Sequence, residues 1–273
     1  MDSAFTALHT LNLSFKELVM KLSSTKLPLS CALLSCALVG QAFANSITGY
    51  STEGETSIGR IGIAGVYRAD NIGDKSAQSF GGQVSGGGGA MYKRWQVSAY
   101  ARFSFTGGSY DDRKSMAMDL EMIPRFGFNV LISSFPLYVN LVLYGNVQRF
   151  AAHNLNFGQS VFGIGGELEG KIPLGSSAAL EYSVGYVYDP NTSFTFNPAS
   201  NLALSTRTNA ANQTILASIG MSFDLTPRLH SYVKLYARYQ SFPTSPTISY
   251  ETTQYMVSAR NSFNTALEVG LGF

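Results

Sequence analysis

The chain has 273 residues, of which 13% are charged, and its formal net charge is +2. The charged fraction lies well below the roughly 25% of ordinary soluble domains. No block of like charges occurs, so we expect no nucleic-acid partner. Together with 27 Gly, 15 Tyr and 18 Phe, this composition fits one large all-β domain with much apolar surface.

The N-terminal region has the pattern of an export signal. Lys21 and Lys26 precede or flank an apolar run at 27–39, and Ala42-Phe43-Ala44 supplies a small-x-small cleavage site. The apolar run is shorter than the roughly 20 residues of a membrane-spanning helix. The predicted organisation is an upstream extension at 1–19, a cleaved signal peptide at 20–44 and a barrel domain at 45–273.

Both cysteines, Cys31 and Cys36, fall inside the predicted signal peptide. Lipidation at Cys36 is an alternative, although the apolar sequence continues past this residue to the Ala-x-Ala site. Cleavage after Ala44 would remove both cysteines. An exported chain without disulfides has to be stabilised by a large core or by a membrane.

Ten segments after the signal peptide alternate between apolar and polar residues. In the clearest one, 95–106, Trp95, Val97 and Phe103 share one face, while Gln96 and Arg102 share the other. Alternation with a period of two predicts strands with two different faces. The ten segments are 56–68, 80–92, 95–106, 115–128, 137–149, 160–172, 178–188, 213–225, 229–240 and 254–273. Each is long enough for a tilted strand to cross a bilayer.

The joints between these segments alternate in length. Short joints fall at 93–94, 129–136, 173–177 and 226–228, and longer polar ones at 69–79, 107–114, 150–159, 189–212 and 241–253. This asymmetry is typical of a transmembrane antiparallel β-barrel with short periplasmic turns and long extracellular loops. We predict about ten strands, with eight as an alternative. A soluble lipocalin-like or sandwich fold would also alternate, but soluble strands average about 5–6 residues.

Aromatic residues near the segment ends share the apolar face and predict the girdles at the two membrane interfaces. They are Trp95, Phe105, Phe126, Phe128, Tyr186, Tyr188, Phe223, Tyr239 and Phe273.

The last strand resembles that of Gram-negative outer-membrane β-barrel proteins, which end in alternating apolar residues and a terminal Phe. The matching residues are Leu267, Val269, Leu271 and Phe273. The resemblance implies residence in the outer membrane, contact with its lipids and recognition by the barrel-assembly machinery. It implies no particular activity.

Charged residues of the segments share the opposite face. Because a charge facing lipid costs roughly 2–4 kcal/mol at the midplane, we expect them inside the barrel. They are Arg60, Arg102, Asp119, Glu121, Arg125, Glu167, Glu169, Lys171, Glu181, Lys234, Arg238 and Glu268. Mixed signs favour paired networks that fill the interior. The alternative is a narrow wet lumen for a small solute, with room left by small inward residues such as Gly270 and Gly272.

Catalytic signals are weak. The stretch 165–171 begins like a phosphate-binding loop, but Ile172-Pro173 stands where Ser or Thr is needed. His153 and His230 are the only histidines after the signal peptide.

Omptin proteases also have ten strands, and their pattern is similar to Asp-x-Asp in the second long loop and Asp-x-His in the fourth. Here the second loop has adjacent Asp111-Asp112, and the fourth has Asp189 without a His. We therefore predict no catalytic, cofactor-binding or metal-binding residue and no cofactor.

The sequence thus favours a non-enzymatic outer-membrane barrel with a structural or surface-interaction role. Its longest loop, 189–212, is rich in Asn, Thr and Ser and is the best candidate for contacts with an extracellular ligand of unknown identity. The alternative is a narrow porin-like channel for ions or small solutes. A hydrolase at the barrel rim is a distant third; it needs His153 within hydrogen-bond reach of a Ser or an acid.

Overall fold

The structure is a computed structural model and describes residues 55–131, 135–153, 155–175, 177–199, 202–226 and 229–273. The predicted upstream extension and signal peptide lie outside these residues. The strands are β1 (Glu55–Ile72), β2 (Lys75–Tyr92), β3 (Trp95–Tyr110), β4 (Arg113–Asn129), β5 (Leu137–Ala152), β6 (Leu155–Pro173), β7 (Ala178–Asp189), β8 (Thr192–Ala199), β9 (Leu202–Thr208), β10 (Asn212–Thr226), β11 (Leu229–Phe242), β12 (Ile248–Tyr250), β13 (Thr253–Tyr255) and β14 (Arg260–Gly272).

Ten of these strands close into an antiparallel barrel, which confirms the predicted fold and strand count. Their order is β1-β2-β3-β4-β5-β6-β7-β10-β11-β14, and β14 pairs with β1 to complete the ring. We call the end that carries Phe273 the terminal end and the opposite end the distal end. No helix among the described residues is long and apolar enough to cross a membrane.

The barrel wall exposes its apolar face and buries its polar face, which is the reverse of a soluble protein. On β14, Leu267 and Val269 are 58% and 46% exposed, whereas Glu268 between them is only 5% exposed. The same reversal recurs at Ile63 on β1 and Leu235 on β11. Such a surface is stable only where lipid surrounds the wall, because water would have to hydrate the apolar side chains.

The chain end completes the closure of the barrel. Leu271 pairs with Ile61, and the amide of Gly59 donates to the carbonyl of Phe273 at 2.7 Å. The amide of Phe273 donates back to the carbonyl of Gly59 at 2.9 Å. The last residue therefore belongs to the sheet rather than to a free tail, and it leaves no unpaired strand edge between β14 and β1.

Three distal joints are much shorter than expected, because their strands continue beyond the apolar belt. The expected joints 69–79, 107–114 and 150–159 shrink to short turns between β1 and β2, between β3 and β4, and between β5 and β6. Asp111 and Asp112 have φ values of 53° and 60°, as a type I′ hairpin turn requires. Apolar alternation stops where both faces become polar, so it marks the edge of the membrane and not the end of the strand.

The expected loop 189–212 forms a hairpin. β8 pairs with β6, and β9 pairs with β8, so this hairpin continues β7 and β10 toward the distal end. The ladder shifts between Ile164↔Tyr188 and Val161↔Thr192, which changes the register by one residue. We call this place the kink. A second, small hairpin, β12–β13, lies in the joint after β11.

The interior near the terminal end is packed with side chains, contrary to the expected space beside Gly270 and Gly272. A methyl group on Gly270 would lie 2.5 Å from the Tyr232 ring, and one on Gly272 would overlap the His230 ring. Glycine is needed at Gly272 because the His230 ring fills the space, and at Gly270 because the Ile61 carbonyl and the Tyr232 ring do.

Candidate functional site: the barrel interior

The middle of the barrel is built around the carboxylate of Glu121, which is 1% exposed. Arg102 on the adjacent strand donates to its Oε1 at 2.8 Å, and Arg238 donates to its Oε2 at 2.6 Å. The hydroxyls of Tyr144 and Tyr236 donate to the same carboxylate at 3.1 Å and 2.9 Å. Four donors saturate this buried charge, as a low-dielectric site demands.

Asp119, two residues before Glu121 on the same face, extends this arrangement. It accepts from both terminal nitrogens of Arg238 and from Nδ2 of Asn146, the latter at 2.8 Å. Arg102 also lies over the Tyr236 ring, 4.0 Å from its centroid, a distance that favours a cation–π contact. We call Arg102, Asp119, Glu121, Tyr144, Tyr236 and Arg238 the mid-barrel layer.

The mid-barrel layer crosses the full diameter of the barrel. Asp119 and Glu121 lie on β4 and Arg238 lies on β11, which is five strands away from β4 in either direction. The ion pairs between them therefore join opposite walls. A solute moving along the barrel axis would have to break these pairs.

The terminal-end half of the interior contains a second set of ion pairs. Arg60 donates to both oxygens of Glu181, at 2.6 Å and 2.7 Å, in a bidentate pair that joins β1 to β7. Lys171 lies 3.8 Å from Glu181. Arg125 donates to Glu167 at 2.8 Å. These charged residues come from four strands, β1, β4, β6 and β7, and the structure brings them together in one region of the interior.

The remaining acids of this half have neutral partners. Gln96 and the Nδ2 of Asn140 donate to Glu169 at 3.2 Å and 3.1 Å. The Tyr232 hydroxyl donates to Glu268 at 2.7 Å. These hydrogen bonds hold the carboxylates without a second ion pair.

A small cavity remains in this half, with room for roughly one water molecule. It is lined by Arg60, Ser85, Gly86, Tyr100, Arg102, Tyr232, Lys234 and Glu268. Three of the lining residues are cations and one is an anion, and two of the cations, Arg60 and Arg102, are paired with Glu181 and Glu121.

The distal half has its own polar cluster directly above the mid-barrel layer. Arg68 donates to Asp70 at 2.7 Å and to Oε1 of Gln148 at 3.1 Å. Arg260 donates to the same Gln148 oxygen from β14, on the opposite wall. Gln148 also donates to Gln240 at 2.6 Å. A second set of contacts therefore bridges the interior above Glu121.

An aromatic cluster covers this polar region at the distal end. It contains Ile72, Ala77, Ala117, Phe150, Phe157, Phe194, Phe196 and Val257. Phe194 and Phe196 come from the β8–β9 hairpin and are 0% and 3% exposed. The hairpin thus turns apolar side chains inward and excludes water from the interior beneath it.

The twelve charged residues predicted to lie inside all occupy inward positions. Nine are buried, and Glu169, Lys171 and Lys234 are half-buried. The prediction missed Arg68, Asp70 and Arg260. Arg68 and Arg260 share the parity of Arg60 and Glu268, so the alternation itself could have found them. Asp70 was missed because β1 continues beyond its expected end.

The residues considered for catalysis lie apart in the fold. His153 is exposed in the β5–β6 turn and forms no hydrogen bond or ion pair with any other described residue. Asp111 is exposed at the β3–β4 turn, where its hydrogen bond raises the pKa of Lys75. Asp189 is buried at the kink. His230 lies at the terminal end.

Comparison with known proteins identifies the fold. No protein-family model matches the sequence, and no curated protein matches it. Among solved structures, the outer membrane protease OmpT from Escherichia coli aligns with a TM-score of 0.54 and 10% identity, covering 82% of this chain and 99% of that one.

Two further solved structures are also outer-membrane β-barrels. The translocator domain of the autotransporter NalP from Neisseria meningitidis has a TM-score of 0.48 and 11% identity, covering 89% of this chain and 95% of that one. The outer membrane protein OprG from Pseudomonas aeruginosa has a TM-score of 0.33 and 13% identity, with coverages of 83% and 98%. The resemblance to Gram-negative outer-membrane barrels is confirmed as a resemblance of fold, and identities this low transfer no activity.

Proposed function

We propose that this chain is a non-enzymatic protein of the Gram-negative outer membrane whose barrel is closed to solutes and whose distal hairpins contact partners. The mid-barrel layer carries the proposal, because Glu121 and Arg238 join opposite walls and are only 1% and 2% exposed. The apolar outer face and the similarity to solved outer-membrane barrels support the location.

Closure follows from the energetics of the layer. Separating Arg238 from Asp119 and Glu121 would leave buried charges without partners, at a cost of roughly 3–5 kcal/mol for a pair. Water would have to enter past Tyr144 and Tyr236, whose hydroxyls already donate to Glu121. A permanent aqueous path is therefore unfavourable at this height of the barrel.

The non-enzymatic part of the proposal is supported by the separation of the candidate groups. A hydrolase needs a base within hydrogen-bond reach of its nucleophile or of the water it activates. His153 is exposed in a turn, whereas Asp189 is buried on the inner side of the wall. This arrangement offers no general-base couple of the kind that the omptin pattern requires.

The β8–β9 hairpin is the best contact surface. Ala203, Ser205 and Arg207 on β9 are exposed. Among the described strands, β9 pairs only with β8, so one row of its backbone groups is available to an extended partner segment. The small and polar side chains along this edge would not obstruct such pairing.

The experiment is single-channel recording of the protein purified in detergent and reconstituted in a planar bilayer. A heat-dependent shift in gel mobility first establishes that the barrel is folded, and a known porin serves as the positive control. We expect a folded and silent barrel. Discrete steps that scale with salt concentration would overturn the closed-barrel proposal.

A narrow channel is the second candidate, and the small cavity beside Arg102 and Lys234 favours it. If conductance steps appear, Lys234→Glu should shift their selectivity toward cations, because it reverses a charge on the cavity wall. A silent, folded barrel removes this candidate.

The assembly route is a further part of the proposal. Leu267, Val269, Leu271 and Phe273 are 41–58% exposed on the outer face of β14, where the assembly machinery could bind them before the barrel closes. Deleting Phe273 should lower the amount of protein in the outer membrane. An unchanged amount would contradict a role for this residue in assembly.

A further inference from the structure

The kink gathers four polar side chains on the inner side of the wall. Asp189 on β7 and Asn212 on β10 are register partners. Thr192 begins β8, three residues after Asp189, and faces Val161 on β6. Gln159 on β6 lies two residues from Val161, diagonally across from Thr192. Side chains that are directly or diagonally opposite are within reach of each other, which applies to Asp189 with Asn212 and to Thr192 with Gln159. Thr192 follows Asp189 by three residues, so the two pairs are adjacent along the inner wall. We call these four residues the kink cluster.

The kink cluster is deeply buried and poorly hydrogen-bonded. Gln159, Asp189, Thr192 and Asn212 are 3%, 2%, 0% and 0% exposed. Among the described residues, none donates to or accepts from Gln159 Oε1, Asp189 Oδ2, Thr192 Oγ1 or Asn212 Oδ1, and the two amide nitrogens of Gln159 and Asn212 are equally unpartnered. Native proteins seldom leave buried polar atoms unsatisfied.

The shift in the ladder explains why these atoms lack protein partners. Phe162 and Gly163 on β6 stand opposite the kink, where neither β7 nor β8 pairs with them. A methyl group on Gly163 would lie 3.2 Å from Cβ of Asp189 and 2.7 Å from the Tyr188 carbonyl. The glycine keeps the wall close to the carboxylate without supplying a side-chain donor.

No cation forms a direct ion pair with the cluster among the described residues. Asp189 has no Lys, Arg or His nitrogen within 4.0 Å among the described residues. The amide of Asn191 donates to its Oδ1 at 3.0 Å, and no described residue donates to its Oδ2. Burial raises the pKa of Asp189 from 3.8 to about 6, and the amides of Asn191 and Phe162 and the charge of Arg207 offset only part of this rise.

We propose that the kink cluster binds a calcium ion through the oxygens of Gln159, Asp189, Thr192 and Asn212. Calcium accepts carboxylate, amide-carbonyl and hydroxyl oxygens together with water, and it needs no fixed geometry. The described residues contain no group of three His, Cys, Asp or Glu that could hold a metal, so a zinc-type site is not the chemistry offered. A single carboxylate predicts weak binding, on the order of 10⁻⁴–10⁻³ M, as in extracellular modules.

The position of the site suits an external ion. Tyr188 is the last outward aromatic residue of β7, and its register partner Gln213 is already polar and exposed. Asp189 follows Tyr188, so it lies beyond the membrane-spanning part of β7. The cluster is therefore on the distal side, which we assign to the cell exterior.

The test is calcium titration of the protein purified in detergent, first stripped with EDTA. We expect the thermal unfolding midpoint to rise as calcium reaches the millimolar range. Asp189→Asn should abolish this rise, and Asn212→Ala, which keeps the carboxylate, should weaken the apparent affinity several-fold. Asp111→Asn is the matched control, since it removes an exposed carboxylate from a distal turn.

A second readout separates this site from general ion effects. Terbium bound at the cluster should luminesce when Tyr188 is excited. Calcium should reduce this luminescence in the wild-type protein, and Asp189→Asn should show no calcium-sensitive luminescence. The heat-dependent gel shift confirms that each variant is folded. An unchanged midpoint in wild-type protein, or an equal rise in Asp189→Asn, would overturn the calcium site. Neither result would alter the conductance test of the closed barrel.

Discussion

The mid-barrel layer and the kink cluster are both polar, inward-facing and buried, but they differ in how their carboxylates are satisfied. Glu121 accepts hydrogen bonds from two arginines and two tyrosines. Among the described residues, Asp189 accepts hydrogen bonds from backbone amides alone. Burial alone therefore does not distinguish a structural carboxylate from one that can bind a ligand; the number and charge of its protein donors do.

The difference has its origin in strand register. The layer is formed where ladders are regular, so inward residues of β4 and β11 meet across the barrel. At the kink, β6 changes partner from β7 to β8 with a shift of one residue. Because of this shift, inward side chains of β6 no longer lie directly opposite inward side chains of the partner strand. Their polar atoms are therefore left without protein partners.

The largest effect is expected from Arg238→Met, which removes the cation from the layer. Asp119 and Glu121, which lie side by side on β4, would then keep Arg68 and Arg102 as their only cations within 4 Å among the described residues. We expect the free energy of unfolding to fall by roughly 3–5 kcal/mol, measured by urea unfolding in lipid vesicles.

Lys75→Met is the control for Arg238→Met, because it breaks an ion pair with Asp111 that is exposed to solvent. We expect no measurable change, since solvent screens such pairs. Equal losses in the two variants would show that the layer is not the structural centre of the barrel.

Phe194→Ala should destabilise the β8–β9 hairpin beside the kink without destabilising the mid-barrel layer. Phe194 is fully buried in the aromatic cluster and follows Thr192 by two residues. Removing the ring costs roughly 3–5 kcal/mol when the side chain is fully buried, and this cost falls on the β8–β9 hairpin. We expect faster proteolysis within this hairpin while the barrel keeps its heat-dependent gel shift.

The matched variant is Phe80→Ala, whose ring is 68% exposed on the outer wall. It should leave the rate of hairpin cleavage unchanged. A loss of the barrel itself in Phe194→Ala would mean that the hairpin and the layer unfold as one unit.

Gly62→Ala tests whether the terminal-end half is packed as tightly as the layer above it. The new methyl group would lie 2.5 Å from the Tyr232 hydroxyl oxygen and 3.0 Å from Cγ of Glu268, and overpacking of this kind costs roughly 1–3 kcal/mol. Gly65→Ala is the control, because no atom lies within 4 Å of its added methyl group. If urea unfolding gives the same free energy of unfolding for the two variants, the interior is loosely packed and contains water.

Strand positions and inward charges could be predicted because lipid imposes a strict rule on each residue of a spanning strand. A charge such as Glu167 has one acceptable side, so alternation places it. The same rule did not apply beyond the membrane. There β1 and β2 continue to a turn at 73–74 that alternation placed within a long loop.

Partners across the barrel could not be predicted from alternation. That pattern assigns Glu121 and Arg238 to the same side of the wall but contains no information on which strands face each other. Nor does it show a register shift, so the kink cluster fell inside two expected loops, 150–159 and 189–212. Only the closed ring of ten strands brings β4 opposite β11 and places Asp189 beside Asn212.

The smallest effect is expected from the titration of the Asp189 carboxyl group. Its pKa is raised from 3.8 to about 6 by burial, so between these values the folded state binds more protons than the unfolded state. Its contribution to stability is present below pH 3.8 and is lost as the pH rises through about 6. In EDTA, the unfolding midpoint should therefore fall between pH 5 and pH 7 by more in wild type than in Asp189→Asn. Saturating calcium should remove this difference, because it compensates the ionised carboxylate as Arg102 and Arg238 compensate Glu121. Parallel pH profiles for the two proteins in EDTA would show that Asp189 already has a partner, and the contrast between the kink and the layer would then disappear.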